Sequence, residues 1–287
     1  MYATLIAVAA LWGAAAGLLV PRAAYRLSVE PEEAWRESCP AGHAFTGPAR
    51  GWLGFARCAG CATAVPARKA AGSAATRDTE APAPLLDTEA PAPLLDTEAP
   101  APLLDTETPA PLLVPVVTAL SCAALAAATG PRPELAVWLL LTPFAVLLAL
   151  VDRNVHRLPD QLTLPLAAAA AALLGLAGLL PGDAGSWPTA LLGGLVLGAA
   201  YLVLFLIHPN GMGFGDVKLA LSLGVVLGWY GWAVLFAGAF AGFLFGSVYG
   251  LGLIALRRAG RKTAIPFGPF MIAGALAGLL LGGLAAA

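Results

Sequence analysis

Apolar positions along this chain gather into long runs separated by short polar, proline- and glycine-containing stretches. The runs cover roughly Thr4–Val20, Val114–Thr129, Leu135–Val151, Leu162–Leu180, Thr189–Ile207, Leu219–Leu227, Trp232–Leu256 and Phe270–Ala286. About 20 apolar residues carry a helix across a hydrocarbon core. The pattern therefore predicts an all-α fold, a polytopic membrane bundle of about eight transmembrane helices. The sixth run is short and is closely followed by the seventh. Composition agrees, with 59% hydrophobic and only 11% charged residues, where a soluble domain carries about a quarter charged. A net charge of −1 gives no reason to expect nucleic acid as a partner. The lipid bilayer is the partner that composition implies.

Lysine and arginine accumulate on the cytoplasmic side of membrane proteins. With Met1 outside, the segment 21–113 lies inside and holds Arg22, Arg26, Arg36, Arg50, Arg57, Arg68, Lys69 and Arg77. Later inside loops hold Arg153, Arg157, Lys218, Arg257, Arg258, Arg261 and Lys262, which leaves only Arg132 outside. The sequence thus predicts a multi-pass inner-membrane protein with its N-terminus outside. The first run has no positive charge before its apolar core and has Arg22 and Arg26 after it, the reverse of a cleaved secretory signal. It reads as a retained span.

Four regions follow: a first span over 1–20, a cytoplasmic module over 21–77, a linker over 78–113 and a membrane core over 114–287. The linker is a tandem repeat, DTEAPAPLL at Asp78–Leu86, Asp87–Leu95 and Asp96–Leu104, then DTETPAPLL at Asp105–Leu113. Two prolines per nonapeptide oppose regular helix and favour an extended, solvated, disordered tract. A tolerated insertion in a cytoplasmic loop is the expected reading, and a binding tract or spacer is the alternative.

Carboxylates are scarce beyond Val114: Glu134, Asp152, Asp160, Asp183 and Asp216. Ionisable groups near membrane depth are costly and functional by default. Glu134 and Asp183, beside proline and glycine in outside loops, read as solvated turn or cap residues. Asp152 ends the third run and Asp216 precedes the sixth, with two complete spans between them. Both therefore belong to one membrane face. Adjacent carboxyls share a proton, so one can activate water while the other polarises a scissile carbonyl. Asp216 ends Gly211-Met212-Gly213-Phe214-Gly215-Asp216, where Gly213 and Gly215 could admit an extended substrate backbone. Asp160 is placed to cap the fourth helix, and Lys218 to orient the site or snorkel. His156 and His208 are loop histidines of the same face. Trp229, Tyr230 and Trp232 read as an interfacial belt.

The stretch from Asp152 to Pro165 resembles the first aspartate motif of type IV prepilin peptidases. Gly213-Phe-Gly-Asp-Val-Lys218 resembles their GxGD motif, and Ile265-Pro-Phe-Gly-Pro-Phe270 the lead-in to their final helix. The resemblance implies aspartyl proteolysis by Asp152 and Asp216, with Asp160 and Lys218 in support. It also implies cleavage of basic leaders from prepilin or pseudopilin substrates at the cytoplasmic face, with no cofactor needed for that step.

Cys39, Cys58 and Cys61 fall in the cytoplasmic segment and Cys122 in the second run. A reducing compartment favours metal over disulfides, and Cys58-Ala-Gly-Cys61 with Cys39 and His43 offers four ligands for zinc. Many relatives carry two CxxC pairs here, whereas this chain has Gly42 where the second cysteine would stand. Relatives with the module often also N-methylate the new pilin terminus from S-adenosylmethionine. Two other classes are a proton-coupled transporter using the same carboxylates and a scaffold built on the cysteine module and repeat.

Overall fold

The computed structural model describes residues 2–30, 33–55, 58, 60–61, 110–209, 212–256 and 265–286. Nine helices carry the described fold: α1 (Tyr2–Gly17), α2 (Val20–Leu27), α3 (Ala110–Thr129), α4 (Glu134–Val155), α5 (Asp160–Ala177), α6 (Trp187–Ile207), α7 (Phe214–Gly228), α8 (Trp232–Ala255) and α9 (Gly268–Ala285). A single helical turn, Pro48–Gly51, lies in the module after α2. All eight apolar runs are helical. Among the described residues, seven stretches are long and apolar enough to cross a membrane, with α1 and α2 together forming the first, Tyr2–Leu27.

The sixth run, Leu219–Leu227, is the exception. Helix α7 has 15 residues, about 22 Å at 1.5 Å per residue, short of the roughly 30 Å of a hydrocarbon core. Its composition is explained by position: ten of the 15 residues are buried, and α5, α6, α8 and α9 all pack on it. Glycine makes the closest of these contacts. A Cβ on Gly193 of α6 would stand 2.7 Å from the Gly224 carbonyl oxygen and 2.9 Å from Gly228 Cα of α7. Small residues let membrane helix backbones approach this closely, so that dispersion and backbone contacts hold them together.

The fourth repeat runs into the bundle, because α3 begins at Ala110 rather than after Leu113. Pro111 falls in the first turn, where the missing N–H has no intrahelical partner to lose. The expectation for the rest of the repeat lies outside the described residues.

Two expectations at the opposite end of the bundle are corrected. Glu134 is fully buried, and Tyr230 donates its hydroxyl to Glu134 Oε1 at 3.4 Å, so it is no solvated cap. Trp229 is 1% exposed, its ring filling the space a side chain at Gly185 would need. Only Trp232 of that aromatic group, 42% exposed, suits an interfacial belt.

Candidate active site

Helix α4 carries Asp152 in its last turns and ends at His156, whose left-handed backbone (φ 51°) lets its N–H close on the Asp152 carbonyl at 2.8 Å. Asp152 is 4% exposed. Its Oδ2 accepts the backbone N–H of Gly268 at 2.9 Å. Gly268 opens α9, and the first N–H groups of a helix have no intrahelical acceptor and favour negative charge. A Cβ at position 268 would lie 2.7 Å from that same oxygen. The close approach therefore requires glycine.

Asp216 lies in the first turn of α7, its N–H bonded to the Gly213 carbonyl at 3.0 Å, and is 7% exposed. Its carboxyl is near enough to Asp152 for the two charges to interact, and near enough to act on the buried Tyr201 hydroxyl of α6. The aspartates thus meet at one end of the bundle, from helices separated by two full spans. The two glycines differ in setting. A Cβ on Gly215 would stand 3.0 Å from Leu158 Cβ, so the turn after α4 packs directly on the start of α7. Gly213 is extended (φ −72°, ψ 144°), and a Cβ there would have nothing nearer than Asp216 Oδ2 at 3.7 Å.

Asp160 and Lys218 form an ion pair, Oδ1 to Nζ 2.5 Å, with Asp160 63% exposed and Lys218 16%. Asp160 is the first residue of α5, and the cap position before it is Pro159 without a side-chain cap bond. Its observed role is to tie α5 to α7, and Lys218 also lies 4.7 Å from the Phe214 ring centre. Asn154, two residues past Asp152, donates to Ser28 Oγ at 3.1 Å and so joins the aspartate helix to the end of α2.

Sequence reasoning missed Gly268 and Tyr201. The Phe267-Gly268-Pro269 sequence marked a helix start, but only folding shows that this start aims its N–H at Asp152. Tyr201 carries no sequence signal: it is one aromatic among apolar neighbours on α6.

In the module, Cys39, His43, Cys58 and Cys61 each place a ligand atom within 4.8 Å of the others. Cys39 Sγ stands 3.5 Å from His43 Nδ1 and 3.6 Å from Cys61 Sγ, and Cys61 Sγ stands 3.4 Å from His43 Nδ1. Zinc bonds of about 2.3 Å to sulfur and 2.0–2.1 Å to nitrogen give tetrahedral edges of about 3.5–3.8 Å, so the cluster could hold such an ion. Gly42 has φ 83°, a conformation that disfavours a side chain there and turns His43 inward instead. Gly60 completes the fit, since a Cβ there would lie 2.8 Å from the His43 ring. Burial opposes ionisation of the Cys39 thiol, but hydrogen bonds from the His43 and Ala41 backbone and from Cys61 outweigh it and hold its pKa at about 6. Cys61 is pushed up to about 11, chiefly by its hydrogen bond with Cys39.

Residues 139–283 match the type IV leader peptidase family. The chain belongs to that family. The matched region holds Asp152, Asp216 and Gly268, and stops short of the cysteine cluster and the repeat. Among similar type IV leader peptidases, a prepilin leader peptidase/N-methyltransferase of Aeromonas hydrophila is 39% identical over 176 residues, covering 58% of this chain and 56% of its own. Proteins of the same name from Aeromonas salmonicida and Pseudomonas aeruginosa are 38% and 34% identical, again over 58% of this chain and 56% of theirs. The chain therefore spans just over half the length of the relatives it matches. No solved structure matches it.

Proposed function

We propose that this protein is a membrane-embedded aspartyl endopeptidase that removes the leader of type IV prepilins or pseudopilins. The carrying observation is the meeting of two buried carboxyls, Asp152 and Asp216, at one end of the bundle. The pair acts as one unit sharing a proton. Its ionised member takes a proton from water, the oxygen attacks the scissile carbonyl, and the protonated member hydrogen-bonds the developing oxyanion. Proton return to the departing amine completes hydrolysis. Gly268 N–H steadies Asp152 throughout, and Gly213 leaves room for the substrate backbone beside Asp216. Lys218 and Asp160 brace the start of α7.

The excess of arginine and lysine on one side supports a cytoplasmic location for this end, with the N-terminus outside and the inner membrane as the site. A proton-coupled transporter is less well supported, because the carboxylates lie at a helix end rather than at mid-bundle, where relays run. The cysteine cluster is a structural zinc site in this reading, holding the module's loops together. The relatives' name supports a second step, N-methylation of the new terminus from S-adenosylmethionine, for which the folded module is the candidate host.

The purified protein, incubated with a prepilin-like substrate, is expected to shorten it by the leader. An intact substrate under conditions where the protein is folded would remove the proposal. Metal analysis is expected to find about one zinc per chain and none in Cys58→Ser; metal-free intact protein would end the zinc reading.

A further inference from the structure

A cavity of about 940 Å³ lies in the module, lined among others by Arg26 near the end of α2 and by Gln161 at the start of α5. Peptide hydrolysis makes no use of it. Its wall is aromatic: Trp35 and Trp52 meet edge to face at 5.2 Å, with Phe45 behind them and Trp35 43% exposed. Arg26 and Arg50 supply positive charge. The Arg26 guanidinium is 5% exposed, lies 4.1 Å from the Trp52 ring centre and donates to the Arg50 carbonyl. Its Nε is buried without an acceptor. Glu33 and Glu37 also line the cavity. Glu33 Oε2 accepts the Glu30 N–H, and Glu37 acts on Arg26 from a distance. Neither reaches ion-pair range of an arginine among the described residues.

Aromatic grooves edged with charge suit proline-rich chains, whose preformed extended helix loses little entropy on binding. Guanidinium groups suit carboxylates. One segment of this chain offers both: the repeat from Asp78 to Leu113 carries an Asp, a Glu and two prolines in every nonapeptide and no lysine or arginine. The region before it, 21–77, has eight basic residues against four acidic ones. The tract is tethered at the groove, since Cys61 packs in one cluster with Phe45 and only 48 residues separate it from Ala110. At about 3.1 Å per extended residue the tether reaches the cavity easily, and short linkers give effective concentrations of order millimolar.

We propose that this cavity is a docking groove for the chain's own DTEAPAPLL repeat, with prolines against Trp35 and Trp52 and repeat carboxylates facing Arg26 and Arg50. The idea is independent of the peptidase reading. Photocrosslinking on the full-length protein tests it, with p-benzoylphenylalanine incorporated in place of the exposed cavity residue Ala34. Irradiation is expected to give an adduct at monomer mass that maps by mass spectrometry to 78–113. Its yield should fall at least about fivefold with Trp35→Ala or Arg50→Glu. It should fall as far when the repeat aspartates and glutamates become asparagine and glutamine, a change that touches no residue of the groove. Adducts mapping elsewhere, a yield indifferent to repeat charge, or a dimer-mass adduct from a second copy would each overturn it.

Discussion

Helix α4 carries a buried carboxyl near each end, and the two could hardly be used more differently. Glu134, at its first residue, is sealed: Tyr230 donates to it, the Trp138 indole donates to Tyr230 at 3.4 Å, and Arg132 ties the same end to the Gly283 and Ala286 carbonyls of α9. Asp152, 18 residues on, meets a backbone N–H and a second carboxyl instead. Burial of an acid in a membrane bundle is therefore a poor marker of chemistry by itself. What separates the ends is the partner: aromatic side chains that stitch helices together at one, and a glycine N–H and a second carboxyl close enough to feel its charge at the other.

The sharpest way to break this comparison is to neutralise each acid in turn. Asp152→Asn or Asp216→Asn should lower leader cleavage by at least about a thousandfold while circular dichroism and melting stay those of the folded protein. Residual cleavage near the parent rate in either variant would take that aspartate out of the site. Gly268→Ala comes next. Its Cβ would crowd Asp152 Oδ2, so a kcat loss of about 10–100-fold is expected, because small misplacements of catalytic groups are costly; an unchanged kcat would mean that the Gly268 contact does not position the acid. Glu134→Ala should act on stability instead, by about 1–3 kcal/mol from the unpartnered Tyr230 hydroxyl and the space left behind. Cleavage at a permissive temperature should stay within about threefold, and a selective loss of kcat would erase the contrast between the ends. Removal of Asp78–Pro109, which leaves α3 whole, should have the smallest effect, with cleavage within about twofold of the parent; an inactive product would make the repeat part of the machinery.

Much of this was legible in the residues. Hydrophobic runs gave the helices because a bilayer demands continuous apolar length, and the rarity of acids beyond Val114 singled out Asp152 and Asp216. Counting spans put both on one face. The same counting could not tell that α7, which runs from the Asp216 end of the bundle to the Tyr230 end, is enclosed by other helices, since a run of apolar residues reads alike whether it faces lipid or protein. It also misread Glu134 and Trp229, whose burial comes from helices distant in sequence. Asp160 looked like a cap from its neighbours, yet its partner is Lys218, 58 residues away.

The order of helices, their apolar length and the choice of Asp152 and Asp216 as candidates thus came from local pattern, because helix length and the cost of charge in lipid are properties of short segments. Which groups touch those acids was decided only on packing. Gly268 meets Asp152 and Leu158 fills the space at Gly215 beside Asp216, because each contact joins atoms that no periodicity along the chain relates.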